Sequence, residues 1–226
     1  MKLEWSRRKA AFLVVFVALS LVAYRVNFSS VLGTNNQAFT LFQFFAPIGG
    51  GLFNPFFGAF SALLAQGLNF AVFGGSTDLF SLLRFLPPVF AAAYFGSRSK
   101  WNVAVPLACM ALFWMHPVGA QAPFYALFWL IPVAAKFAGD NLLLRSLGTT
   151  FTAHAVGSVA FLYTIPSTPL LWIGLIPVVM QERLVFTLGI AASYVVMSTL
   201  LDALSAKVDL RALRIERKYS LARVIE

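Results

Sequence analysis

Residues 38–74 read AFTLFQFFAPIGGGLFNPFFGAFSALLAQGLNFAVFG. The stretch holds no Lys or Arg, and its apolar run is broken only by Pro47, the triplet Gly49-Gly50-Gly51 and Asn54-Pro55. A helix needs about 20 apolar residues to cross the roughly 30 Å hydrocarbon layer of a bilayer. Glycine and proline at this density mark a chain break. The spacing therefore predicts a hairpin of two helices, a short one at 38–53 and a second at 54–74. With no charge near it, the turn between them is expected to be buried.

The rest of the chain supports the same solvent. Of 226 residues, 60% are hydrophobic and 11% charged, with eight acids against seventeen bases, and the mean hydropathy is +0.81. Soluble domains carry about 25% charged residues. This composition excludes a soluble globular enzyme and a disordered chain. The runs are too long and unbroken for an outer-membrane barrel, whose strands alternate. The fold class expected is all-α: a polytopic membrane helical bundle of six to eight apolar segments, multi-pass in the cell inner or plasma membrane.

The formal net charge of +9 would suggest nucleic acid in a soluble protein. Here the bases flank apolar segments, which is the pattern that sets membrane orientation. Lys2, Arg7, Arg8 and Lys9 precede the first segment, and Lys207, Arg211, Arg214, Arg217, Lys218 and Arg223 follow the last. Both termini are thus expected in the cytoplasm, with an even number of crossings and no nucleic-acid partner. Residues 1–206 form one transmembrane domain and 207–226 a basic cytoplasmic tail, either amphipathic on the inner leaflet or simply solvated. Residues 10–26 resemble a signal peptide, but Tyr24-Arg25-Val26 is a poor cleavage site, so they read as a retained first helix.

Further segments are expected at 79–97, 101–117, 122–139 and 146–165. The block 170–204 divides at Pro177 and Gln181-Glu182-Arg183 into an outer or re-entrant piece, 170–180, and a last helix, 182–204. The polar stretch Asn27–Gln37 is an outer loop. Cys109 is single, so it forms no internal disulfide and no thiolate metal site.

Catalytic signatures are missing: no H-E-x-x-H, no G-x-S-x-G, no P-loop and no neighbouring acid pair within a span. No catalytic residue, metal or cofactor is expected. Polar residues inside spans are costly and mark packing contacts or ligand sites. Arg84 either binds an anionic ligand group or serves structure. His154 either joins helices by hydrogen bonds or faces a ligand. Glu182 suits the electropositive start of a helix. Gln66 and Asn69 are three apart and share a helix face, within an amide series that includes Asn35, Asn36, Gln37, Gln43 and Asn54. Amides donate and accept without charge, which suits a neutral heterocycle or a sugar-like solute, or hydrogen bonds between helices. Gly58 and Ala62 are four apart, a spacing that lets helices approach closely.

The block from Phe44 to Ala59, Phe44-Phe45-Ala46-Pro47-Ile48-Gly49-Gly50-Gly51-Leu52-Phe53-Asn54-Pro55-Phe56-Phe57-Gly58-Ala59, together with the size, the basic start and the outer loop 27–37, resembles the substrate-binding S component of energy-coupling factor vitamin transporters, mainly over residues 10–100. The resemblance implies a six-helix binding subunit without its own ATPase. It implies a small molecule held near the outer face and docking onto a coupling membrane subunit driven by two ATPases. On this reading Asn35, Asn36 and Gln37 close over a small planar or polar organic substrate lined by Gln66, Asn69, Arg84 and His154. The alternative is a non-catalytic accessory subunit of a larger membrane complex, acting by packing and contact with membrane lipids.

Overall fold

A computed structural model of the chain describes residues 7–30 and 38–222. The protein is 78% helical. Helix α1 (Arg7–Ala23) leads into a small antiparallel hairpin, β1 (Asn27–Ser30) with β2 (Ala38–Thr40). There follow α2 (Phe42–Phe45), α3 (Ile48–Leu52), α4 (Pro55–Phe73), α5 (Leu79–Leu83), α6 (Leu86–Gly96), α7 (Ala104–Met115), α8 (Pro117–Ala120), α9 (Leu130–Phe137), α10 (Leu142–Thr164) and α11 (Pro169–Leu204). Three-residue-per-turn helix occupies Lys100–Val103, Pro123–Trp129 and Arg217–Tyr219.

Among the described residues three stretches are long and apolar enough to cross a membrane: Pro55–Phe73, Leu79–Gly96 and Pro169–Leu204. Only a third of each is buried inside the protein, and side chains such as Val72, Leu170 and Leu188 face outward. A water-facing surface does not carry apolar patches on that scale; hydrocarbon accepts them.

The expected hairpin forms in its second half only. Asn54 caps α4, its side-chain oxygen accepting from the Phe57 N–H at 2.9 Å, and Pro55 occupies the first turn, where a missing N–H costs nothing. The stretch 38–53 is not one helix. Its first residues pair with Asn27–Ser30, which satisfies backbone groups left open after α1, and Pro47 separates the two short helices α2 and α3. Glycine at 49–51 then serves contact. A Cβ on Gly50 would lie 1.9 Å from the Ala92 carbonyl oxygen, and one on Gly58 would lie 2.2 Å from the Gly50 nitrogen. The backbones of α3, α4 and α6 therefore meet at Gly50.

The segment 79–97 is broken at Arg84–Phe85. Pro87 and Pro88 have no N–H to offer the carbonyls four residues back, so α5 closes at Leu83 and α6 starts afresh at Leu86. The expected division of 170–204 is overturned: α11 is one helix of 36 residues with Pro177 inside it. Thr168 caps it, and Pro169 takes the first turn. Pro177 and Gly174 are exposed on the outer side of the helix, while Trp172, Val179 and Arg183 pack inward. Glu182 consequently sits in mid-helix, not at a helix start.

Among the described residues three apolar clusters fill the interior. One gathers Phe113, Tyr125, Trp129, Phe151 and Trp172; the second gathers Phe16, Ile48, Phe57, Phe95 and Tyr194; the third gathers Val17, Phe42, Ala46 and Ala62. Helix α10 packs against α6, α9 and α11 and carries most of the contact between them.

The tail packs part of its length against the bundle, while Lys207, Arg211, Arg214, Arg217 and Lys218 stay exposed. Leu210 is buried, and Leu213 and Tyr219 pack on the second cluster. The Arg214 N–H donates to the Leu52 carbonyl at 2.7 Å, and the Leu221 N–H donates to the Thr199 hydroxyl at 3.0 Å. Glu216 accepts from Arg145 at 2.6 Å and from the Tyr194 hydroxyl at 3.0 Å, Arg217 pairs with Asp202 at 3.2 Å, and Asp209 binds Arg8.

Partial burial pushes the Glu216 carboxyl up, but the Arg145 guanidinium, the Tyr194 hydroxyl and Lys218 outweigh it and hold the group below the usual carboxylate range. A depressed carboxylate contributes stability that is present above the unfolded value, about 4.3 for Glu. That stability is lost as the pH falls through the folded value. Hydrogen exchange of residues 210–222, corrected for intrinsic rates, is expected to be slow at pH 6–7 and fast near pH 3. Protection that ignores pH over that range would rule out Glu216 as the fastening.

Candidate functional site

A cavity of about 170 Å³ lies between α2, α5–α6, the Pro123–Trp129 turn, α10 and α11. Each wall follows from a local feature of the chain. The break at Arg84–Phe85 turns Arg84 into it. Strand β2 brings Phe39, and α2 brings Gln43. Helix α10 presents Thr150, His154, Gly157 and Ser158, whose spacing of three or four keeps them on adjoining faces. Helix α11 presents Trp172, Val179, Arg183, Phe186 and Ile190, again at helical spacing, with Glu182 beside them.

Arg183 is 4% exposed. One terminal nitrogen donates to the Glu182 carboxylate at 3.2 Å. Its guanidinium lies over the Phe186 ring at 4.1 Å and near the Phe39 ring at 5.2 Å. Its Nε is buried and has no hydrogen-bond partner among the described residues, and the same holds for the Thr150 hydroxyl, on a residue 2% exposed. A buried unpaired donor of this kind costs about 1–3 kcal/mol, more when charged.

The protonation of His154 is fixed by geometry. The Trp129 indole N–H donates to His154 Nδ1 at 3.1 Å, and an indole nitrogen can only donate. Nδ1 is therefore an acceptor, the ring is neutral, and its proton sits on Nε2. That nitrogen faces the Tyr125 hydroxyl at 2.9 Å and the Ser158 hydroxyl at 3.3 Å. His154 thus orients Tyr125 at the cavity wall and has no free lone pair with which to activate Ser158 as a nucleophile. Gln43 accepts from the Thr40 N–H at 2.7 Å and the Thr40 hydroxyl at 3.1 Å. With its oxygen engaged, its carboxamide offers the cavity N–H groups only.

Of the expected ligand contacts, Arg84 and His154 line this cavity. Gln66 does not: its amide donates to the Ala62 carbonyl at 3.1 Å and the Phe85 carbonyl at 3.0 Å, tying α4 to the break before α6. Asn69 does not either; it accepts from Arg25. Asn35, Asn36 and Gln37 lie outside the described residues. Sequence reasoning placed Gln43 only in a general amide series and Glu182 and Arg183 only at an expected helix start, and it singled out neither Tyr125 nor Thr150. The signal for Arg183 was available: the series 172, 179, 183, 186, 190 runs on one helical face straight through Pro177.

A second cavity, about 480 Å³, opens beneath the tail. Arg98, Lys136, Arg145 and Arg214 line it, with Asp140 and Glu216 opposite. Lys136 donates to the Ser97 carbonyl at 2.7 Å, and Arg98 pairs with Asp140 at 3.3 Å. Among the described residues no group of three His, Cys, Asp or Glu side chains could hold a metal ion. No protein-family model, curated protein or solved structure matches the chain.

Proposed function

We propose that the protein is a multi-pass membrane subunit that binds a small organic molecule for uptake, in the manner of an energy-coupling factor S component. Both termini are cytoplasmic in this reading. A coupling membrane subunit and ATPases supply the energy, and the membrane is the cell inner or plasma membrane. The observation that carries the proposal is the cavity lined by Arg183 and Thr150, whose Nε and hydroxyl are buried without a hydrogen-bond partner among the described residues. Packing alone gives no reason to bury a charged donor unpaired. A ligand that accepts from both gives one. The volume is in the range of an engineered protein cavity of about 150 Å³ that takes up benzene, so the occupant is a small molecule built on about one ring.

The test is to fill the cavity without touching its charges. Gly157 lines it, and a Cβ added there would meet nothing nearer than a Pro87 ring carbon at 3.5 Å. Gly157→Leu is expected to fold like the native protein and to occupy the ligand's space. Native mass spectrometry of the purified native protein should show a retained small molecule, and the variant should show none. A native protein that carries large partner subunits and no small molecule would favour an accessory role instead.

A further inference from the structure

We propose that the cavity beneath the tail is a second site, which binds a phosphate group carrying about two negative charges; it does not depend on what the Arg183 cavity holds. The chain brings four bases to it from four places: Arg98 from the turn after α6, Lys136 from α9, Arg145 from α10 and Arg214 from the tail. Among the described residues two acids line it with them, Asp140 and Glu216. Four bases against two acids leave the walls two positive charges in excess. A phosphate monoester, at about −1.5 to −2 near neutral pH, matches that excess. Bases that only set membrane orientation could all stand in solvated loops. Here Lys136 and Arg145 stand partly buried on helices around one hollow.

The acids are already engaged. Asp140 pairs with Arg98 and with Lys218, each at 3.3 Å. One Glu216 oxygen accepts from Arg145 at 2.6 Å and from the Tyr194 hydroxyl at 3.0 Å, and the other faces Lys218 at 3.7 Å. Donors are left over. Arg145 Nε and its second terminal nitrogen are buried without a hydrogen-bond partner among the described residues. The Lys136 ammonium has three N–H groups and spends one on the Ser97 carbonyl at 2.7 Å. Arg214 is held by its backbone N–H on Leu52, and its exposed side chain pairs with no acid among the described residues. The three outer oxygens of a phosphate accept from several sides at once, whereas a carboxylate presents two oxygens in one plane. The volume, about 480 Å³, lies within the range of about 300–1,000 Å³ of small-molecule sites. The phosphate can therefore arrive on a soluble molecule or at the head of a lipid, since basic pockets between membrane helices collect anionic headgroups.

Delipidated protein in a neutral detergent is titrated calorimetrically with methyl phosphate and with acetate. Methyl phosphate is expected to bind at least about tenfold more tightly than acetate. Arg98→Gln combined with Arg214→Gln should weaken methyl phosphate at least about tenfold; both side chains are exposed, and Arg214 keeps its backbone tie to Leu52. Asp140→Asn should tighten methyl phosphate several-fold, because it frees Arg98 and Lys218 for the ligand. A damaged fold cannot mimic that gain. Lys207→Gln removes an exposed tail base outside the cavity and should change nothing. Native mass spectrometry separates the two sources. Retention of dioleoyl phosphatidate over dioleoyl phosphatidylcholine, lost in the double variant, assigns a lipid headgroup; methyl phosphate binding without that preference assigns a soluble ligand. Acetate binding as tight as methyl phosphate, weakening by Asp140→Asn, or a loss in Lys207→Gln as large as in the double variant would reduce the site to diffuse surface charge and overturn it. So would failure of methyl phosphate and phosphatidate alike. None of these results bears on the Arg183 cavity.

Discussion

Gly50→Ala is expected to leave no folded, monodisperse protein. The added methyl would lie 1.9 Å from the Ala92 carbonyl oxygen and 2.9 Å from the Gly96 nitrogen, and both are backbone atoms of α6. A flexible side chain could swing aside; a helix backbone cannot move alone. On its other side Gly50 already touches Gly58 of α4, so α3 has nowhere to retreat. Overpacking in a well-packed core costs about 1–3 kcal/mol and occasionally more, and here three helices must separate at once. Gly67→Ala is the control, since nothing lies within 4 Å of its added methyl. That change should be neutral or stabilise by up to about 1 kcal/mol through helix propensity. Size-exclusion profiles and thermal midpoints in detergent would separate the two variants. A Gly50→Ala protein that matches the native one would refute the three-helix contact.

The second large effect is expected from Arg145→Met. Arg145 lies one turn into α10, with its guanidinium over the Phe95 ring at 4.4 Å, the Tyr194 ring at 4.9 Å and the Tyr219 ring at 5.7 Å. It donates to Glu216 at 2.6 Å. Methionine would keep much of the apolar contact but leave the Glu216 carboxylate with Tyr194 and a distant Lys218. Removing one partner of a largely buried ion pair costs about 3–5 kcal/mol. The expected result is a bundle whose tail is released: trypsin should cut at Arg211–Lys218 much faster than in the native protein, while residues before Lys207 stay resistant. Adding Glu216→Leu to Arg145→Met should restore much of the protection, because two apolar groups strand no charge. Unchanged cleavage in the single variant would show that the backbone contacts at Leu52 and Thr199 hold the tail unaided.

Much of the helical layout was legible because apolar length and capping residues are local signals. Asn54-Pro55 announced the start of α4. The segment 79–97 was expected as one helix, and its break at Arg84–Phe85 came from Pro87 and Pro88 within it, which leave the carbonyls of the preceding turn without donors. Pro177 misled, because a proline reads as a stop when water competes for the freed carbonyl and need not when hydrocarbon surrounds the helix. The two residues foreseen at the cavity, Arg84 and His154, were conspicuous as costly polar groups inside apolar runs. Gln66 and Asn69 were equally conspicuous but are spent on ties within the fold. Sequence alone cannot separate these cases, since the partners that satisfy them, the Phe85 carbonyl and Arg25, come from other elements. Thr150 was not legible, and Gln43 only as one amide among several, for the same reason: their places at the cavity arise only when β2, α2 and α10 converge.

Helix α11 has a last consequence. Thirty-six residues at 1.5 Å each make a rod about 54 Å long, against a hydrocarbon layer of about 30 Å. Its far end is moored through Asp202 to Arg217, so the surplus must stand proud at the Thr168 end or be taken up by leaning. Leaning changes the angle at which the Arg183 face meets α10. Acyl-chain length in the surrounding lipid is therefore a physical input to the shape of the chamber that this rod helps to wall.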